Sequence, residues 1–131
     1  MTEKKNILAI DDDPVTLKIL VDLLLADYNI ITSKSVADAT VIMNKKRPDL
    51  ILLDIEMPDI SGFEFLHSLR KDPKFMKIPV LIVSSHFGKE FVDRVERCGA
   101  SGLVSKPIDK DNFFQKLEHA FEHPVKTIFD L

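Results

Sequence analysis

Two unbroken apolar runs, Leu50-Ile51-Leu52-Leu53 and Val80-Leu81-Ile82-Val83, set the reading of the whole chain. Four consecutive bulky apolar residues suit a strand buried on both faces, as in a parallel sheet covered by helices. Two shorter runs, Ile7-Leu8-Ala9-Ile10 and Leu103-Val104-Ser105, predict further strands, and the β-branched segment from Asn29 to Lys34 predicts a fifth. Between the runs the apolar spacing turns helical. Leu17, Leu20, Val21, Leu24 and Leu25 predict a helix over 14–27, opened by Asp13 as N-cap and Pro14 in the first turn. Ser35 caps a second helix bearing Ala37, Ala39, Val41, Ile42 and Met43, which runs out at Lys45-Lys46-Arg47, where positive charge suits a helix C-terminus. Gly62 to Arg70 predicts a third helix. A weaker one over 88–98 has Phe91, Val92 and Val95 on its apolar face. The last runs from the N-cap Asp109 to His123, with Phe113, Phe114, Leu117, Ala120 and Phe121 at helical spacing.

Strand and helix thus alternate five times. The pattern predicts an α/β fold, a doubly wound five-stranded parallel sheet with helices on both faces. One domain is expected over 1–123, and 124–131 reads as a C-terminal tail or the start of a linker.

Composition changes this picture little. The chain has 131 residues, 45% hydrophobic and 30% charged, which suits one domain with a substantial core rather than a disordered or fibrous chain. A net charge of -3 offers no electrostatic footing for nucleic acid or an anionic membrane. The single cysteine, Cys98, excludes an intrachain disulfide framework and a cysteine-rich metal site, and reads as a buried or half-buried thiol. No apolar run reaches membrane-spanning length and Met1 to Asn6 lacks a signal peptide's apolar core, so a cytoplasmic location is expected.

The chemistry collects at the strand ends. In a parallel sheet all strand C-termini lie along one edge, and open α/β sheets place their sites there. Taken singly, an Asp closing a strand, such as Asp54, is as ordinary as a turn or cap residue. Taken together, the ends bear Asp11-Asp12-Asp13, Asp54, Ser84-Ser85 and Lys106. Converging carboxylates repel, by up to roughly 4 kcal/mol for a pair about 4 Å apart at an effective dielectric of 20, so a cation must offset them. Oxygen-only ligands suit a hard divalent ion, and Mg²⁺ takes one or two carboxylates and leaves room for phosphate oxygens. Lys106 adds a point charge and Ser84 a neutral donor. Acids for a metal, a carboxylate nucleophile and donors for phosphoryl oxygens make a phosphoryl-transfer site.

This set resembles the receiver domain of two-component response regulators, over about Lys5 to Glu122. The acidic pair after the first strand is similar to Asp11-Asp12. The phosphoacceptor motif is similar to Leu53-Asp54-Ile55-Glu56-Met57-Pro58-Asp59-Ile60-Ser61-Gly62, the switch hydroxyl falls on Ser84, and the Lys-Pro pair on Lys106-Pro107. The resemblance implies a flavodoxin-like (βα)5 receiver fold. It implies that Asp54 accepts a phosphoryl group from a histidine kinase or histidine phosphotransfer protein. It also implies that Asp12 and Asp54 ligate Mg²⁺ directly, with the backbone carbonyl of Glu56, while Asp11 acts mainly through water. Lys106 would pair with one phosphoryl oxygen and Ser84 would bond another. The new charge would bias the Ser84 loop and the helix and strand after it, switching a surface for an output protein or, through the 88–123 surface, a homodimer.

Blander roles remain beside these. Asp13 is read as a helix cap rather than a ligand. The Glu56 side chain and His86 are given at most a tuning role, and His67, His119 and His123 are read as lying on or beside helices without metal-ligand spacing. Two positions depart from the family's habit: Ser84 stands where threonine is common, and Leu103 where an aromatic often rotates with the hydroxyl. Phe87 or Phe91 is the expected substitute. Two other assignments compete with a stand-alone signalling module. One is a receiver excised from a larger regulator or hybrid kinase. The other is an aspartyl-phosphate phosphatase of the haloacid dehalogenase type, which wants a second Asp where Glu56 stands and a late acidic pair where Ser84-Ser85 stands.

Overall fold

The computed structural model describes residues 3–57 and 59–125. Pro58 of the acidic turn and residues 126–131 of the tail lie outside the described residues. Five strands, β1 (Asn6–Ile10), β2 (Asn29–Ser33), β3 (Leu50–Leu53), β4 (Val80–Ser84) and β5 (Gly102–Ser105), alternate with five helices. These are α1 (Pro14–Leu24), α2 (Val36–Lys45), α3 (Gly62–Lys71), α4 (Lys89–Arg97) and α5 (Lys110–Glu122). All strand pairings are parallel and the order is β2-β1-β3-β4-β5, the flavodoxin-like arrangement.

The two apolar runs are buried along their whole length because both faces of the sheet are covered. Leu8, Ile10, Ile51, Leu53, Val80 and Ile82 pack beneath α2, α3 and α4. Ile7, Ala9, Leu50, Leu52, Leu81 and Val83 pack on the other face against α1 and α5. Successive residues of one strand thus serve two cores, which is why the runs are unbroken rather than alternating. β2 lies at the sheet edge and is mostly exposed, so it shows no such run.

The described element ends differ from the sequence reading in a few places. α1 stops at Leu24, three residues short of the predicted end, because the Leu24 carbonyl accepts the amides of Asp27 and Tyr28 and turns the chain into β2. Leu25 consequently faces solvent, 59% exposed. On α2 the buried side chains are Val36, Ala39 and Met43, while Ala37 and Val41 lie outside the core. On α4 only Val95 is buried, because this charged helix touches the sheet near its rim strand β5 along a narrow line. Among the described residues, no helix is long and apolar enough to cross a membrane.

Candidate functional site

Strand order reverses between β1 and β3, and at that point the chain places its acids. The Asp54 amide donates to the Ile10 carbonyl at 2.9 Å, which draws the residue after β3 against the end of β1. Asp54 is 8% exposed, Asp11 is buried and Asp12 is exposed. Carboxylate oxygens of Asp11, Asp12 and Asp54 lie within 4.8 Å of one another. Lys106, just beyond β5, reaches across with its ammonium 2.9 Å from Asp11 Oδ2 and 3.9 Å from Asp54 Oδ1. Asp11 Oδ1 accepts the Asp13 amide at 2.9 Å, so both oxygens of Asp11 are engaged. Ser84 ends β4, fully buried, and its Oγ accepts the His86 amide at 3.1 Å. Asp11, Asp12, Asp54, Ser84 and Lys106 therefore share the edge that the sequence assigned to them.

The electrostatics of this edge are unbalanced. Burial, and then the charge of Asp11, push the Asp54 carboxyl up to about 6 from 3.8, although Lys106 and the Glu56 amide oppose the rise. Burial works against the Lys106 charge, but its hydrogen bond to Asp11 and the surrounding carboxylates outweigh that and hold the ammonium above its ordinary range. One lysine does not offset three acids. The donor set is oxygen-only, close-set and short of positive charge, which is what a hard divalent cation fits.

Asp13 is a helix cap: its carboxylate accepts the Val15 amide at 3.0 Å and the Thr16 hydroxyl at 3.0 Å. Those bonds hold it below the usual carboxylate range, with the Val15 amide as the largest cause.

The turn after Asp54 is held by bonds that no pattern along the sequence announces. Asp59 accepts the amides of Val36 and Ala37, tying the acidic turn to the start of α2. Gly62 has its amide on the Ile55 carbonyl at 2.9 Å, and a Cβ there would lie 2.6 Å from the Asp54 carbonyl oxygen. The Glu56 side chain pairs with the His86 ring, linking the β3–α3 and β4–α4 loops over the site mouth. The partners of Asp59 and Glu56 lie 22 to 30 residues away and share no local pattern with them.

A groove of about 460 Å³ continues from this bridge, lined by Ile55, Glu56, Phe63, His86, Phe91 and Arg94 among others. Phe91 contacts both His86, with ring centres 5.6 Å apart, and Phe63, at 6.0 Å. The Arg94 guanidinium lies over Phe63 at 3.9 Å. Phe87 is 89% exposed, so of the two expected aromatic substitutes Phe91 is the one packed beside the Ser84 loop. Leu103 is half-buried against the α2–α3–α4 core.

Comparison with known proteins gives this arrangement a family. The model of the response regulator receiver domain matches residues 7–118. The chain belongs to that family and is a receiver domain of the two-component response regulators. The polar-differentiation response regulator DivK of Brucella anthropi is 30% identical over 115 residues, covering 87% of this chain and 94% of DivK. The chemotaxis response regulator CheY4 of Vibrio cholerae superposes with a TM-score of 0.83 at 25% identity, over 90% of this chain and 99% of that one. NtrX of Brucella abortus shares the fold, with a TM-score of 0.82 at 24% identity, over 92% of this chain but only 27% of its own. Receivers are phosphoacceptors rather than turnover enzymes, which sets the chain apart from the haloacid dehalogenase class.

Proposed function

We propose that the chain is a phosphorelay receiver in which Asp54 takes a phosphoryl group from the phosphohistidine of a sensor kinase or histidine phosphotransfer protein. The observation that carries this reading is the convergence of Asp11, Asp12, Asp54 and Lys106 on one point of the sheet edge. Asp12, Asp54 and the backbone carbonyl of Glu56 would hold Mg²⁺, and Asp11, whose oxygens already accept Lys106 and the Asp13 amide, would act through water. Bound there, Mg²⁺ supplies charge neutralisation for the carboxylates and the incoming phosphate.

The remaining chemistry belongs to the side chains. An Asp54 carboxylate oxygen attacks phosphorus as the bond to the donor's imidazole nitrogen breaks; the electron pair leaves on the imidazole, which takes up a proton from solvent. Lys106 exchanges part of its contact with Asp11 for a phosphoryl oxygen. The Ser84 hydroxyl donates a hydrogen bond to another, its lone pairs remaining able to accept the His86 amide. The acyl phosphate adds roughly 1.5 to 2 negative charges. That charge draws on Ser84 and Lys106 together and so reorders the β4–α4 loop, α4 and β5. Glu56 and His86, bridged over the mouth, set how readily water reaches the phosphoryl group and hence the lifetime before autodephosphorylation.

The phosphodonor docks along α1, whose first turn follows directly from Asp12-Asp13. The output partner, a protein or a second copy of the chain, reads the 88–123 surface. A cytoplasmic location suits this role. The receiver spans residues 1–123, and the phosphoryl chemistry proposed for it is the same in a stand-alone module and in a receiver that is one part of a larger regulator. A small phosphodonor with Mg²⁺ should give a labile one-phosphate mass gain that Asp54→Asn abolishes. Persistence of the gain in that variant, or its absence from the wild type, overturns the assignment.

A further inference from the structure

His119 and His123 stand one helical turn apart at the C-terminal end of α5, beside the loop that enters β5 and therefore at the sheet edge opposite Asp54. Along the chain the two histidines match no metal-ligand motif, yet residues four apart on a helix share a face. Their rings stack with centroids 3.9 Å apart and planes 22° from parallel. His123 Nδ1 lies 2.9 Å from the His119 carbonyl oxygen. A carbonyl only accepts, so Nδ1 carries the proton and the neutral ring keeps its lone pair on Nε2. Ligating histidines are oriented in this way, with one ring N–H given to a carbonyl or carboxylate and the other nitrogen left for the metal.

We propose that His119 and His123 form a two-imidazole chelate for a late first-row divalent ion such as Zn²⁺, Ni²⁺ or Cu²⁺. Two nitrogens each about 2.1 Å from one ion sit roughly 3 Å apart with each lone pair in its ring plane, so binding opens the stack, which the two exposed rings are free to do. The end of a helix carries negative partial charge that favours a cation. An adjoining recess of about 240 Å³, lined in part by Gly99, Ala100 and Ser101, accommodates the ion's remaining waters. The two metal chemistries on this chain are complementary: imidazole selects late transition ions, whereas the strand-end carboxylates select hard ones.

Titration of the full chain with Ni²⁺ or Zn²⁺ in excess Mg²⁺, followed by calorimetry and amide NMR, tests the site. One ion per chain is expected at this pair, apart from any that displaces Mg²⁺ at the acid edge, with resonance changes at His119, His123 and Ser101 and none there from Mg²⁺ alone. His119→Ala and His123→Ala should each weaken binding by at least about tenfold, since even loss of a supporting bond to a ligand costs that much. Both residues are exposed, so the variants should retain the wild-type circular dichroism; His119→Gln provides a second test at the same position. Asp54→Asn, which alters the acid edge, should leave the ion-induced shifts at His119, His123 and Ser101 in place. Absence of binding at the pair, indifference to all three histidine variants, loss of those shifts in Asp54→Asn, or one ion shared by two chains overturns the proposal.

Discussion

At the scale of the residue, the buried Asp54 carboxyl sets the energetics of the site. Its value of about 6 lies above the ordinary 3.8, so the folded chain holds that proton more tightly than the unfolded chain does. The stabilising contribution is complete below the ordinary carboxylate range and is lost as pH rises through about 6. Asp54→Asn removes this loss, and in Mg²⁺-free buffer at neutral pH it should raise stability by on the order of 2 kcal/mol. Urea unfolding from pH 4 to 8 checks this: the wild-type curve should fall across the interval and the variant's should be flatter. Millimolar Mg²⁺ should restore the wild type while leaving the variant nearly unmoved; a variant less stable than wild type without Mg²⁺ contradicts the account. Gly62 makes a steric counterpart. An added Cβ would sit 2.6 Å from the Asp54 carbonyl oxygen and 2.8 Å from Ile55 Cα, both backbone atoms that cannot swing aside. Gly62→Ala should therefore cost about 1–3 kcal/mol in denaturant unfolding and slow phosphorylation by a small phosphodonor. That Asp11, Asp12, Asp54, Ser84 and Lys106 would meet on one edge was legible, because each closes or follows a strand and a parallel sheet gathers the strand ends. Asp59 on the α2 amides and Glu56 with His86 were not, because contacts between separate loops leave no periodic trace.

At the scale of the element, Arg70 and α4 show what periodicity cannot deliver. Read along the chain, Arg70 is a cation closing a helix. In the fold its guanidinium donates to the carbonyls of Gly99, Met76 and Ile78 at 2.8–3.2 Å, pinning the end of α3 to the loops that enter β4 and β5. Burial lowers it to about 10, still far above neutrality, so the charge persists. Arg70→Met would strand several carbonyls and should cost about 2–4 kcal/mol; Arg70→Lys should recover only part, since an ammonium cannot fork to the same acceptors. Urea midpoints with unchanged slopes would decide it. α4, by contrast, buries only Val95, and starts at Gly88 with φ of 110° and no side-chain cap. Besides Val95 in the core, the Phe63–Phe91 and Arg94–Phe63 contacts tie it to α3. A single buried side chain leaves α4 ready to open, as the proposed switch requires. Hydrogen exchange should change across 84–105 on phosphorylation of the wild type. In Lys106→Ala some phosphorylation should remain while that change is lost; an unaltered response would remove Lys106 from the relay.

At the scale of the whole molecule, two unbroken apolar runs dictated a two-faced sheet, and that alone put every strand end on one edge. The order of the strands was not written in any run; it came with the family resemblance. The surface was also silent, because a helix with one buried stripe reads alike whether its far side meets water or a partner. Here the far side of α1 is informative. Val15 and Ile19, one turn apart, are 65% and 43% exposed, on the helix whose cap is Asp13 beside the acid cluster. Under the proposed function, exposed apolar side chains beside Asp54 gain from being covered when a donor's histidine approaches. A partner helix lying along α1 would cover both and still leave the site mouth open to the phosphohistidine. Polar substitutions at exposed positions change stability by about 0.5 kcal/mol or less, so Val15→Ser with Ile19→Ser should fold as the wild type does. Loss of both contacts should slow transfer from a protein phosphodonor at least about tenfold, the equivalent of roughly 1.4 kcal/mol. Phosphorylation by a small phosphodonor, which needs no docking, should stay within about twofold. An equal fall with both donors would show that the substitutions distort the acid edge. Unchanged rates with both would place the donor on another face.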